Sequence, residues 1–332
     1  MKNRNCNNVG RPCGFQGRIG AAKGVWYRDI RLPAGTIELR DSQRKYELVS
    51  PTPEQRCVEV HSMLDSKPAR LNRQIIRLLE ARGVAPQYFL NLQNEHHELY
   101  IQAMKDETVF TQVLGVSNAH DTSTTSSSME KQLHDMRSPH SGVDVNGWLY
   151  RSQKKRFLEM KFKQDKAEAS LLVEKSCRTK IIADMTSTLE PHQCYLRVGG
   201  QLIRGAIVIA RNPCYHPGEV LVLEAVCPTG DDAGVLHDLH DVVVLSSQGD
   251  RAVADKMQGG DYDGDEVIAI WDNNLTSMVQ PCASPVYTNT NTTNTNTKTS
   301  NININTTTNT NNNINTITNN TSINTDTNTN NV

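Results

Sequence analysis

The chain has 332 residues, 37% of them hydrophobic, and a formal net charge of −1 at pH 7. That length has room for one large or two medium domains. The near-zero charge excludes a uniformly basic coat, although a local basic groove beside an acidic site would cancel in the sum. No apolar run approaches the roughly 20 residues of a membrane span. Met1-Lys2-Asn3-Arg4-Asn5 opens on polar residues, not on the apolar core of a leader peptide. The eight cysteines form no CxxC pair, which argues against a zinc site and for free thiols. The expectation is an intracellular protein with no membrane contact, nucleus and cytoplasm not being distinguished.

Residues 1–17 are polar and read as a ragged N-terminus. Gly24-Val25-Trp26-Tyr27 and Gly35-Thr36-Ile37-Glu38-Leu39 read as strands, with Pro33 and Gly35 turning the chain between them. Leu71, Ile75, Ile76, Leu78 and Leu79 then recur at helical spacing. Gly83 is a helix stop, and Pro86 can open a second helix, where its missing N–H costs nothing. That helix would carry Phe89, Leu90, Leu92 and Leu99, while Arg73, Arg77 and Arg82 read as a solvated face. Residues 18–110 are grouped on this basis. Over 111–147 periodicity is lost. The polar run Asp121-Thr122-Ser123-Thr124-Thr125-Ser126-Ser127-Ser128 has too little apolar surface to order itself, so a flexible linker or insertion is predicted.

From Trp148 to Lys175 the chain is basic, with Lys154, Lys155, Arg156, Lys161, Lys163 and Lys166 around Leu158, Met160 and Phe162. This reads as a helix whose basic face is either solvated or turned to phosphates. β-branched runs follow: Leu202–Ala210, Val220–Leu223, Val242–Leu245 and Val267–Trp271, separated by Pro, Gly, Asn and Asp. Short strands between turn signals from Ile181 to Trp271 predict a compact barrel, and residues 148–283 are grouped as the second barrel segment. Residues 284–332 form an Asn/Thr-rich tract with no apolar face, predicted to be disordered.

Asp261, Asp263 and Asp265 stand at alternate positions in a glycine-flanked loop, after Gly259-Gly260 and around Gly264. Glycine permits a tight turn in which three carboxylates converge. Anions held that close need a cation or raised pKa values. Oxygen-only ligands suit Mg²⁺ or Mn²⁺, and magnesium keeps open positions for substrate phosphates, as phosphoryl or nucleotidyl transfer requires. Two other readings stay open. A calcium loop also begins Asp-x-Asp-x-Asp, but an EF-hand needs glycine where Glu266 stands, and an apolar strand pattern follows the loop here. An acidic surface turn without metal is the third.

Gln258-Gly259-Gly260-Asp261-Tyr262-Asp263-Gly264-Asp265-Glu266, with Ile270-Trp271-Asp272 after it, resembles the catalytic motif of the eukaryotic cellular RNA-dependent RNA polymerases of RNA silencing. Gly205-Ala206-Ile207-Val208-Ile209-Ala210-Arg211-Asn212-Pro213-Cys214-Tyr215-His216-Pro217-Gly218-Glu219 is similar to the family's strand-then-NPCxHPGD signature. Asp241-Val242-Val243-Val244 matches the strand between the two. Arg18–Trp26 and Ile37–Tyr46 resemble its RxGxxKG and LRPSQxKF segments, with Asp41 where the family has proline.

The resemblance implies a mixed α/β fold with a β-dominated core: two double-psi β-barrel-like segments joined by a helical connector, with a disordered C-terminal tail. It implies a nucleotidyltransferase, an RNA-directed RNA polymerase copying single-stranded RNA into double-stranded RNA for small-RNA silencing. Its partners would be a single-stranded RNA template, nucleoside triphosphates and small-RNA silencing proteins. Asp261, Asp263 and Asp265 would be catalytic and would hold Mg²⁺ or Mn²⁺. Lys23, Arg40, Lys45, Arg211 and His216 are candidates for triphosphate or RNA contacts, since fixed cations must offset phosphate charge. The family's proteins are much longer, so a fragment is expected. The alternative is a non-catalytic RNA-binding or degenerate remnant.

Overall fold

The protein is seen in a computed structural model that describes residues 12–47, 52, 57–118, 124–230 and 233–286. Strand β1 (Gly14–Ile19) turns through Gly20, at φ 57°, into the antiparallel β2 (Ala22–Tyr27). Strand β3 (Val58–Met63) pairs with the other edge of β1, with a register shift between Gln16 and Gly17. The order is β2-β1-β3. Among the described residues, the first of the two expected barrel-like segments is therefore an open three-stranded sheet. Gly35–Leu39, predicted as a strand, is irregular. Ile37 is exposed, and with Phe15 and Trp26 it lines a cleft of about 880 Å³ instead of pairing with a neighbour.

The helical connector forms as its periodicity predicts. In α1 (Arg73–Ala81) the N-cap is Asn72, whose side chain accepts a 2.8 Å hydrogen bond from the Ile75 amide. Helix α2 (Pro86–Lys105) has its proline in the first turn. The solvated-face reading fails at Arg82, which is buried and donates to the carbonyls of Pro217, Val220 and Gln280.

The flexible-linker reading of 111–147 also needs correction where the chain is described. Helices α3 (Glu107–Asn118) and α4 (Thr124–Arg137) lie there, followed by α5 (Trp148–Glu168). Phe110, Val113, Leu114, Leu133 and Met136 pack with Tyr150 and Phe157 in one cluster. This small apolar core orders the segment despite its polar composition. Two lysines of the basic run are likewise neither solvated nor free for phosphates. Lys154 is buried against Glu107 at 2.8 Å, and Lys161 against Glu130 at 3.0 Å.

The second half is a barrel. Its strands are β4 (Ser176–Ala183), β5 (Gln193–Val198), β6 (Gln201–Leu202), β7 (Gly205–Arg211), β8 (Leu221–Ala225), β9 (Val243–Leu245) and β10 (Glu266–Ile270). Helix α6 (Ala233–Asp238) precedes β9, and α7 (Asn273–Thr276) follows β10. The strand order is β6-β5-β8-β7-β10-β4-β9, and β9 pairs back onto β5, closing a six-strand ring. Two pairs, β4–β9 and β5–β8, are parallel, an arrangement that fits a double-psi barrel. Inside pack Ile181, Leu196, Ile207, Ile209, Val243, Leu245, Val267 and Ala269. The alternate residues Val208, Ala210, Ile268 and Ile270 face outward under α1, packing with Ile75 and Leu79. Coverage on both faces explains why these strands read as continuous apolar runs and not as alternating ones. The predicted disordered tail lies outside the described residues, apart from its first few positions. No helix among the described residues is long and apolar enough to cross a membrane.

Candidate metal centre

The aspartate loop leads directly into β10, between two barrel walls. The Ile181 amide on β4 donates to the Asp265 carbonyl at 3.0 Å. On the β7 side, Arg211 reaches the Asp265 carboxylate from two nitrogens, Nε at 2.8 Å and an Nη at 3.1 Å. Tyr262 turns inward and packs against the barrel core. The loop's own amides turn its carboxylates inward too: Asp261 N–H donates to Asp265 Oδ2 at 2.9 Å and Asp263 N–H to Asp261 Oδ1 at 3.2 Å. One carboxylate oxygen from each of Asp261, Asp263 and Asp265 lies within 4.8 Å of the others.

Two glycines make this geometry possible. A Cβ on Gly260 would lie 2.8 Å from the Ala254 carbonyl and 3.2 Å from Arg211 Cδ. Gly264 has φ +139°, and a Cβ there would lie 1.7 Å from Gln16 Nε2. The three-stranded sheet thus closes onto the loop from the other side. Lys23 on β2 pairs with Asp263 Oδ2 at 2.7 Å, and Gln16 on β1 donates to the Asp263 carbonyl at 3.2 Å.

The electrostatics follow from these contacts. Burial, and then the neighbouring charges of Asp263 and Asp265, push the Asp261 carboxyl up. Burial alone would raise Asp263 as well, but the Lys23 ammonium and the hydrogen bond with Asp261 outweigh it and hold Asp263 below the usual carboxylate range. Carboxylates this crowded repel one another, and a hard divalent cation between them would offset that repulsion. Oxygen-only donors suit a hard divalent cation.

The weaker candidates separate. Lys23 and Arg211 touch the aspartates. Lys45 acts on Asp263 only through its charge, its ammonium donating to the Ser42 carbonyl at 3.3 Å. Arg40 lies against Tyr27, its guanidinium 3.0 Å from the phenol oxygen. His216 builds a turn: its Nδ1 accepts from the Gly218 amide at 3.0 Å, and the Glu219 carboxylate accepts from Tyr215 and His216 amides. Gln16 and Ser62 were missed. Strand alternation could have found Gln16, since it shares a face with Arg18, the cross-strand partner of Lys23.

A closed barrel of the double-psi kind, with a carboxylate loop at the head of one strand, defines the class. The family model described as RNA dependent RNA polymerase matches residues 2–332, and the chain belongs to that family. It is 28% identical over 282 residues to RNA-dependent RNA polymerase 6 of Arabidopsis thaliana, a match covering 80% of this chain and 22% of that protein. To the probable RNA-dependent RNA polymerase SHL2 of Oryza sativa it is 29% identical over 286 residues, covering 80% and 22%. To RNA-dependent RNA polymerase 1 of Schizosaccharomyces pombe it is 26% identical over 299 residues, covering 81% and 23%. The solved structure of the RNA-dependent RNA polymerase QDE-1 from Thielavia terrestris superposes with a TM-score of 0.65 at 23% identity, covering 84% of this chain and 33% of that one, and shares the fold. The chain spans about a fifth of the length of the Arabidopsis and SHL2 relatives named here.

Proposed function

We propose that this chain carries the catalytic barrel of an RNA-dependent RNA polymerase that copies single-stranded RNA into double-stranded RNA, in the service of small-RNA silencing. The observation that carries the reading is the convergence of the Asp261, Asp263 and Asp265 carboxylates within 4.8 Å, on a loop gripped by cations from two segments. These three residues would hold Mg²⁺ or Mn²⁺. The chemistry supplied there would be acidification of an attacking ribose hydroxyl and neutralisation of charge on the leaving pyrophosphate. The chain's own residues supply the rest. Lys23 and Arg211 orient Asp263 and Asp265 and leave positive charge at the rim for a triphosphate. Lys45 adds a cation within electrostatic reach of Asp263. Arg40 and His216 make their contacts with Tyr27 and with the Gly218 turn, not with the aspartates.

The test is RNA synthesis by the full chain on single-stranded templates, with four nucleoside triphosphates and Mg²⁺, with and without a primer. Wild type is expected to give template-complementary product and Asp263→Ala none above background. No product from wild type, or undiminished product from Asp263→Ala, would overturn the reading. RNA binding without synthesis would instead favour the non-catalytic remnant.

A further inference from the structure

The ion pairs at the aspartate loop leave one contact unexplained. Gln16 lies on β1 beside the register shift, with its amide against the loop backbone. Its Nε2 donates to the Asp263 carbonyl at 3.2 Å, and its Oε1 accepts from the Ser62 hydroxyl of β3 at 3.4 Å. A donor on one side and an acceptor on the other leave the amide a single satisfied orientation. The approach is close enough that the next loop residue, Gly264, has no room for a side chain on that side. Asp263 is therefore held at two points by one sheet: its carboxylate by Lys23 and its main chain by Gln16. Among the described residues, Asp261 and Asp265 have no such main-chain tie to that sheet, being bound to one another and to the barrel.

The consequence is mechanical. Lys23 pulls on the Asp263 carboxylate, which must also turn toward Asp261 and Asp265 to share a cation with them. If the 263–264 peptide were free to rotate, that pull would draw the carboxylate out of the cluster. Gln16, locked by Ser62, prevents the rotation. We propose that Gln16 is a positioning residue that fixes Asp263 for divalent-metal binding, acting through the main chain and not as a ligand. This rests on the reading of the aspartates as a metal centre. Groups that orient ligands in this way typically change metal affinity by about 10- to 100-fold when removed.

The test is Mn²⁺ binding to the full chain, free Mn²⁺ being read by electron paramagnetic resonance, beside the thermal midpoint of each variant. Gln16→Met keeps the length and removes both polar atoms. Its Mn²⁺ dissociation constant is expected to rise by about 10- to 100-fold, with a thermal midpoint close to wild type. Ser62→Ala frees only the far side of the amide and is expected to show a smaller loss in the same direction; it decides the matter if Gln16→Met does not fold. Wild-type Mn²⁺ affinity in the deciding variant would overturn the role of Gln16 and leave the metal centre standing. Absence of Mn²⁺ binding in wild type would overturn both.

Discussion

The six-strand barrel and the three-stranded sheet meet at the same loop but are built on opposite terms. In the barrel every strand of the ring has two hydrogen-bonded neighbours, and β7 and β10 pack on both faces. In the sheet, β3 pairs only with β1 among the described residues, and Val58, Val60 and Met63 are about half exposed, at 52%, 49% and 50%. The barrel draws its order from closure and apolar packing. The sheet has less of either, yet it contributes Lys23 and Gln16 to the loop. The lesson is a division of labour: the barrel fixes where the aspartates stand, and the sheet tunes how Asp263 is presented.

That contrast can be broken in several ways. The largest effect on stability is expected inside the barrel. Ile207 is fully buried, so Ile207→Ala should cost about 2–5 kcal/mol in denaturant unfolding. A cost below 1 kcal/mol would mean the ring is not the stabilising core. Next comes the junction. Gly264→Ala places a methyl on the Gln16 amide at φ +139° and should cost about 1–3 kcal/mol, with weakened metal binding. Metal binding equal to wild type would deny the close approach of sheet and loop.

Alkaline pH offers a third comparison. Burial pushes the Cys177 and Cys194 thiols of the barrel from the usual 9.0 to about 12, and the Cys13 thiol near the sheet to about 11. These folded values lie above the unfolded one, so the folded chain holds protons that the unfolded chain releases. The stability they contribute is complete below pH 9 and is lost as pH rises from there towards their folded values. Unfolding midpoints should therefore fall between pH 9 and pH 10, and less steeply in Cys194→Ala. Exposed Cys57 and Cys282 should alkylate well before the buried thiols, because reagent reaches them without unfolding. The smallest effect is expected on the open edge: Val60→Thr should change stability by less than about 0.5 kcal/mol. A large loss there would show that β3 is covered in solution.

Much of the barrel was legible in the sequence because its strands β7 to β10 are runs of β-branched residues. The start of β4 was not. Thr179 and Lys180 are polar yet buried, because Thr179 donates to the Asp65 carbonyl at 2.9 Å and Lys180 pairs with Glu266 at 3.1 Å. Such partners are distant in the chain and leave no local signal. Helices α3 and α4 were hidden for a related reason, since their few apolar residues gain meaning only when packed on α5. At the site, the aspartates and their glycines are contiguous and could be read directly. Gln16 lies 247 residues from the carbonyl it holds; strand alternation places it on the face of Lys23, but not against Asp263.

Asp261, Asp263 and Asp265 are proposed to hold one catalytic divalent-metal centre together. Crystals of the full chain soaked in Mn²⁺ test it most directly, by anomalous diffraction at the manganese edge. A peak bounded by oxygens of all three aspartates, at roughly 2 Å from each, is expected. A map with no peak there, or with manganese bound elsewhere on the chain and not at this loop, would contradict it.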